Sequence, residues 1–147
     1  MGAKVKVSCL ECGVTNNFPI EASGKKVVCG RCRATLPEPG RVIRPLPQQA
    51  YTLFKKANLP VLVDFYSHKL ASCHIMHLII EDLTKKRAGK IMTIKLSIKD
   101  HPEIGSALGI TSFPTYIIFY RGSERARTSG AMPEEEFTRW VDSKIFP

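Results

Sequence analysis

Beyond residue 45 the apolar positions fall into runs whose period changes from helical to extended and back. Ala50, Leu53, Phe54 and Ala57 lie on one helical face, and Pro60 then opens Val61-Leu62-Val63-Asp64-Phe65-Tyr66, a continuous apolar run of the kind a strand covered on both faces requires. Cys73, Met76, Ile79, Ile80 and Leu83 restore the helical period up to Lys85-Lys86-Arg87 and Gly89, a basic last turn with a glycine stop. Residues 91–98 read as a second inner strand. Asp100 is placed to cap a short helix with Pro102 and Glu103 in its first turn, Ile104, Ala107 and Leu108 inward, and Gly109 at its end. Residues 114–120 and 125–129 flank Arg121-Gly122-Ser123-Glu124 as the strands of a hairpin. Pro133 with Glu134, Glu135 and Glu136 starts a last helix, whose buried stripe is Phe137, Trp140, Val141 and Ile145. From residue 42 the order is βαβαβαββα. Helices between strands impose parallel crossovers while the closing hairpin is antiparallel, so the expected fold is α/β, a mixed central sheet with helices on both faces.

The first third follows another logic. Residues 36–47 hold four prolines and one glycine, which cannot sustain a helix and suit a linker ending in a short edge strand. Before them, Cys9 and Cys12 form one Cys-x2-Cys, Cys29 and Cys32 form a second, and Cys73 stands apart. Two such pairs at this separation are the pattern of a zinc ribbon, because each turn aims two sulfurs at one point and Zn2+ takes four in a tetrahedron. Gly13 and Gly30 lie inside or just after the two turns, where positive φ is useful. Two structural disulfides are the alternative, and a reducing compartment disfavours them. The expected division is a ribbon at 1–36, a linker and edge strand at 37–47, and a second domain at 48–147. A segment as short as the ribbon buries too little to fold alone, so the metal would supply its folding energy; with all four ligands Cys, no position is left to activate water.

The chain of 147 residues carries 22 Lys plus Arg against 13 Asp plus Glu, a net +9, with 44% hydrophobic residues. That composition excludes disorder and collagen-like or coiled-coil arrays. Charge is spread: residues 1–45 hold +5 and the remainder +4. Four thiolates on one Zn2+ would lower the total by two, so a nucleic-acid role for the ribbon ranks last. The most apolar run, 59–66, is broken by Pro60 and Asp64 and falls far short of the roughly 20 residues of a membrane span. Met1-Gly2-Ala3-Lys4-Val5-Lys6 is charged with no apolar core behind it, so no secretory signal is expected and the setting is expected to be cytoplasmic.

Pro60-Val-Leu-Val-Asp-Phe-Tyr66, a helix beginning near Cys73, Gly109-Ile-Thr-Ser-Phe-Pro114-Thr and Ser129-Gly-Ala resemble thioredoxin throughout residues 42–147. With the leading cysteine pairs, nearly the whole chain is similar to the zinc-ribbon class called type-2 thioredoxins. The resemblance implies a thioredoxin fold after the ribbon, a cis peptide before Pro114, and a buried carboxylate at Asp64 that exchanges a proton with the second active-site thiol. It also implies a site at the start of the helix after the second strand, where the helix N-terminus favours a thiolate. Extended polypeptides or protein partners would lie in a groove beside Pro114, with Leu70, Ser72, Phe113 and Thr115 around it, and thioredoxin reductase is among the partners implied.

At that site the family has Trp-Cys-Gly-Pro-Cys, and this chain has Lys69-Leu70-Ala71-Ser72-Cys73. Leu70 thus replaces the nucleophile, and only the resolving position survives. Dithiol exchange needs one thiolate to attack and a second thiol to resolve, so ordinary disulfide reductase turnover is expected to fail. Cys73 reads either as a small buried hydrophobe or as a single thiol able to form a mixed disulfide. His68, His74 and His77 crowd the same stretch; Cys73 with His77 is a permissible metal pair, but exposed or packing histidines are the better reading. The readings carried forward are monothiol chemistry at Cys73, disulfide exchange by a non-standard route, a redox-inactive binding module, and a basic ribbon that binds nucleic acid or protein.

Overall fold

The computed structural model describes residues 4–19 and 26–145; Met1 to Ala3 and Lys25, used above, lie outside them. Eleven elements follow one another among the described residues: β1 (Lys4–Ser8), β2 (Thr15–Pro19), β3 (Val42–Ile43), α1 (Pro47–Lys56), β4 (Val61–Tyr66), α2 (Ala71–Lys86), β5 (Met92–Ser97), α3 (Pro102–Leu108), β6 (Thr115–Tyr120), β7 (Ser123–Ser129) and α4 (Glu134–Ile145). From β3 onward this is the βαβαβαββα order expected.

The five-stranded sheet runs β3-β5-β4-β6-β7. β3 and β4 flank β5 in parallel, β6 is antiparallel to β4, and β7 to β6, so the sheet is mixed. Its period-two alternation sorts side chains into two apolar layers. Val61, Val63 and Phe65 of β4, Met92, Ile94 and Leu96 of β5, and Ile117 and Phe119 of β6 pack with Leu53 and Phe54 of α1 and Ile104 of α3. Leu62, Tyr116 and Ile118 face the other way, against Met76, Ile80 and Leu83 of α2 and Phe137 and Val141 of α4. Helices therefore cover both faces, and every residue of β4 is buried.

Some local readings are corrected. Asp100 does not cap α3; the residue before the helix is His101, with no side-chain cap, and the N–H groups of Asp100 and His101 donate to the carbonyl of Ser97. Pro102 at the first helical position removes one of the donors that a cap would satisfy. The hairpin turn is tighter than expected: β7 begins at Ser123, and only Arg121 and Gly122 turn, both at positive φ (51° and 85°). That is the twist-matched two-residue hairpin connection.

The ribbon joins the same core. Val5, Val7, Phe18 and Leu36 are buried in the layer that holds Leu53 and Phe54, while Val28 stays exposed, so the neighbouring domain covers these four. Gln49 of α1 takes the Leu46 N–H at 2.9 Å and donates to Glu11 Oε1 at 2.7 Å. Behind α2, Gly89 sits at φ 78°, and a Cβ there would come within 2.9 Å of Val5 Cβ and 3.1 Å of its Cα. Both the handedness and the contact exclude a side chain. Gly89→Ala is therefore expected to destabilise the protein by about 2 kcal/mol in urea unfolding; a loss within measurement error would show that the ribbon yields at this contact.

Candidate functional site

Two groups of side chains carry chemistry. In the ribbon, each Cys-x2-Cys begins a turn of the same build. The Cys9 N–H donates to Val14 and the Gly13 N–H to Cys9, while the Cys29 N–H donates to Ala34 and the Arg33 N–H to Cys29. The residue matching Gly13 (φ 81°) is thus Arg33 (φ 69°), not Gly30, so the second turn holds a non-glycine residue in the left-handed region. The four Sγ atoms lie within 4.8 Å of one another, with 3.6 Å between Cys9 and Cys32 and 3.7 Å between Cys12 and Cys29. The two short separations are edge lengths of a tetrahedron whose centre lies about 2.3 Å from each sulfur, the zinc–thiolate distance. The cysteines are free thiols. The N–H groups of Cys32 and Arg31 and the Asn16 amide pull Cys29 down to about 6. At Cys32 the Ala34 N–H favours the thiolate, but burial and the three other sulfurs outweigh it and push the thiol up to about 11. Such a set shares its negative charge only with a cation at its centre. Among the described residues this is the one group of three or more His, Cys, Asp or Glu spaced to hold a metal ion; Cys73 and His77 form no such group.

The second group gathers where β4 ends and α2 begins. Leu70, the residue before the helix, is 39% exposed and offers no side-chain cap, and its carbonyl takes the Cys73 N–H at 3.2 Å. Cys73 is only 4% exposed, and Ser72 is half-buried. The first half of the sequence expectation for Cys73, a buried residue on the inner helix face, is what the packing shows. Phe113-Pro114 is a cis peptide; Phe113 is half-buried, Pro114 is buried, and the Pro114 carbonyl accepts the Gly130 N–H. Thr115 pairs with Phe65 across β6 and β4 and donates its hydroxyl to Ser112 at 2.7 Å. Pro114 and the start of α2 therefore stand at one end of the sheet.

Asp64 lies on the α2 face of β4, 1% exposed, with Oδ1 lacking any hydrogen-bond partner. Its register partner on β5 is Lys95, whose Nζ stands 3.7 Å from Oδ2. Burial raises the Asp64 carboxyl to about 6, against the pull of Lys95 and then Arg44. Burial likewise lowers Lys95, with Asp64 opposing. Lys95 also bonds His77 Nδ1 at 2.8 Å, and His77 Nε2 meets Glu81 at 3.1 Å, so a chain of four ionisable groups runs from the core to the surface. His68 and His74 are exposed. Sequence reading did not single out Lys95 or Arg44 for this site, and it weighed His77 only as a metal partner of Cys73. The available signal was the polar alternation Thr93, Lys95, Ser97 within an apparently inner strand, which marks one face of β5 as polar.

Because the unfolded carboxyl keeps its ordinary value of 3.8, the native state holds the proton more tightly between there and about 6. Asp64 thus subtracts stability as pH rises through that window, and the loss is complete above it. The stability gained by Asp64→Asn is expected to be larger near pH 8 than near pH 4 by about 2 kcal/mol. Urea unfolding of both proteins at the two pH values measures this, and an equal gain at both would contradict it.

With this geometry in hand, comparison places the chain. A profile described as Thioredoxin matches residues 43–143. The thioredoxin of Rickettsia bellii (strain RML369-C) is 33% identical over 90 residues, 61% of this chain and 86% of that protein. Thioredoxin C-3 of Corynebacterium nephridii is 28% identical over 139 residues, 95% of this chain and 94% of the relative, a span that takes in the ribbon. The structure of a mutant thioredoxin from Halobacterium salinarum NRC-1 superposes with a TM-score of 0.65 at 19% identity, covering 74% of this chain and 95% of that one, and so shares the fold. The match of the family profile across some two thirds of the chain, on a mixed sheet with the cis-Pro114 loop and the α2 N-terminus at one end, means that this chain belongs to the thioredoxin family.

Proposed function

We propose that this chain is a thioredoxin-family protein that holds one structural Zn2+ in its ribbon and has lost ordinary dithiol turnover. Its remaining activities would be single-thiol chemistry at Cys73 and binding of extended polypeptide beside Pro114. The carrying observation is Leu70 at the helix start, where the family's attacking cysteine stands, above a Cys73 that packs as a core residue. A leucine can neither be deprotonated nor form a mixed disulfide, and a buried thiol has restricted access to a partner's disulfide. Asp64 keeps the position from which a carboxylate serves the second thiol. With the first thiol absent, that proton transfer has no resolution step to assist.

Cys9, Cys12, Cys29 and Cys32 would hold the zinc. Four thiolates fill its coordination, so it would supply folding energy and no open position for catalysis. A cytoplasmic setting accords with four cysteines kept as thiols rather than disulfides. Protein partners would meet Leu70, Ser72, Phe113 and Thr115 around Pro114, and an extended chain there would pair with exposed backbone.

Metal analysis of the purified protein is expected to give one zinc per chain, and a strong chelator is expected to expose four thiols to a thiol reagent while deprotecting ribbon amides to hydrogen exchange. A metal-free chain whose ribbon amides stay protected would overturn the zinc reading. Reduction of insulin with dithiothreitol as electron source tests the rest. The chain itself is expected to match the uncatalysed rate, and Leu70→Cys to exceed it at least about 100-fold. Turnover by the unaltered chain would show that Cys73 or a ribbon cysteine is a working nucleophile.

A further inference from the structure

Beside Cys73 the surface opens into a cleft of about 190 Å3, walled by Arg44, Lys95, His68, His74, His77 and the Cys73 thiol. No carboxylate lines it. Asp64 is not in its wall, and the surface acid Glu81 is engaged by His77 Nε2. The wall therefore presents two basic side chains, three imidazoles, Tyr66, Ser67 and one cysteine.

The two basic side chains are held in place rather than left mobile. The Lys95 side chain is 5% exposed, fixed by His77 Nδ1 at 2.8 Å and lying 4.6 Å from the centre of the Tyr66 ring. Arg44, just beyond the edge strand β3, donates Nη1 to the Tyr66 hydroxyl at 2.7 Å with its guanidinium 5.6 Å from the same ring. Among the described residues Arg44 forms no ion pair, and Lys95 has only Asp64. Two fixed positive charges thus share one buried carboxylate, and the surplus faces the cleft. Among the described residues only one of Arg44's five N–H donors is used, by a neutral hydroxyl, which leaves other donors for a pair of oxygens.

We infer that this cleft binds a small oxyanion, with Arg44 and Lys95 as its charge partners and the Cys73 sulfur against it. Drug-sized ligands occupy about 300 Å3 or more, so the occupant is smaller, a phosphate ion or a short carboxylate. Charge-assisted bonds to Arg and Lys are the strong class for such groups, and the burial of Lys95 spares its charge part of the screening that weakens surface charges. The site makes no demand on exchange at Cys73 and is independent of whether the chain reduces disulfides. Its consequence for Cys73 is selectivity, because reagents that carry a negative charge are drawn to the thiol.

Calorimetric titration at neutral pH and constant ionic strength tests this with inorganic phosphate in one arm and succinate in another. Saturable binding is expected in at least one arm, and the arm that saturates identifies the oxyanion. Arg44→Gln, a change at an exposed position, is expected to weaken that binding at least about fivefold. In parallel, Cys73 alkylation is followed by mass of its peptide; the iodoacetate to iodoacetamide rate ratio is expected to fall at least about threefold in Arg44→Gln, and saturating anion to slow both reagents. Absence of saturable binding in both arms, or binding that Arg44→Gln leaves unchanged, overturns the proposal.

Discussion

The burial of β4 on both faces is the constraint on which the remaining architecture depends. A strand with no exposed residue must be paired on both edges and covered above and below. β5 and β6 supply the edges, α1 and α3 one cover, α2 and α4 the other. The same burial isolates Asp64. A carboxyl that cannot reach water holds its proton to about 6 and requires a neighbour such as Lys95, which the parallel register places directly opposite. The sheet that makes the fold thus also sets the electrostatics at its end.

The ribbon enters this scheme as a dependent piece. Its β-hairpin and two cysteine turns have little apolar surface of their own, and Val5, Val7, Phe18 and Leu36 bury theirs in the core shared with α1, with Val5 also against Gly89 after α2. A cation at the four sulfurs would order the turns from within, while the shared core holds them from outside. Loss of either support leaves the other to carry an otherwise marginal unit.

At the α2 N-terminus the helix start, the cis-Pro114 loop and the buried carboxylate of Asp64 gather at one end of the sheet, with Leu70 as the residue before the helix. Charge gathers beside them, with Arg44, Lys95 and three histidines around Cys73. Function resides in the site and not in the fold, so family membership alone does not assign this site its chemistry.

The sequence alone was enough for the order of elements, the inner strands, the two cysteine pairs and the leucine at position 70 before α2. These features are local in origin: hydrophobic period, proline and glycine placement, and spacing within one turn. Asp64 was legible as a charged residue within an apolar run, but its partner was not, because Lys95 lies thirty-one residues away and meets it only through the parallel pairing of β4 with β5. The cleft at Cys73 has the same origin, since Arg44 follows an edge strand, His77 rides on α2, and Lys95 belongs to β5. Likewise the seat of Val5 against Gly89 and the engagement of Glu11 by Gln49 join segments that no spacing rule connects. Composition and periodicity act along the chain and identified most inward-facing residues, although Ala107, expected inward on α3, is exposed. Only the tertiary structure decided which charges share a wall, because that depends on strand register and on how helices close over the sheet.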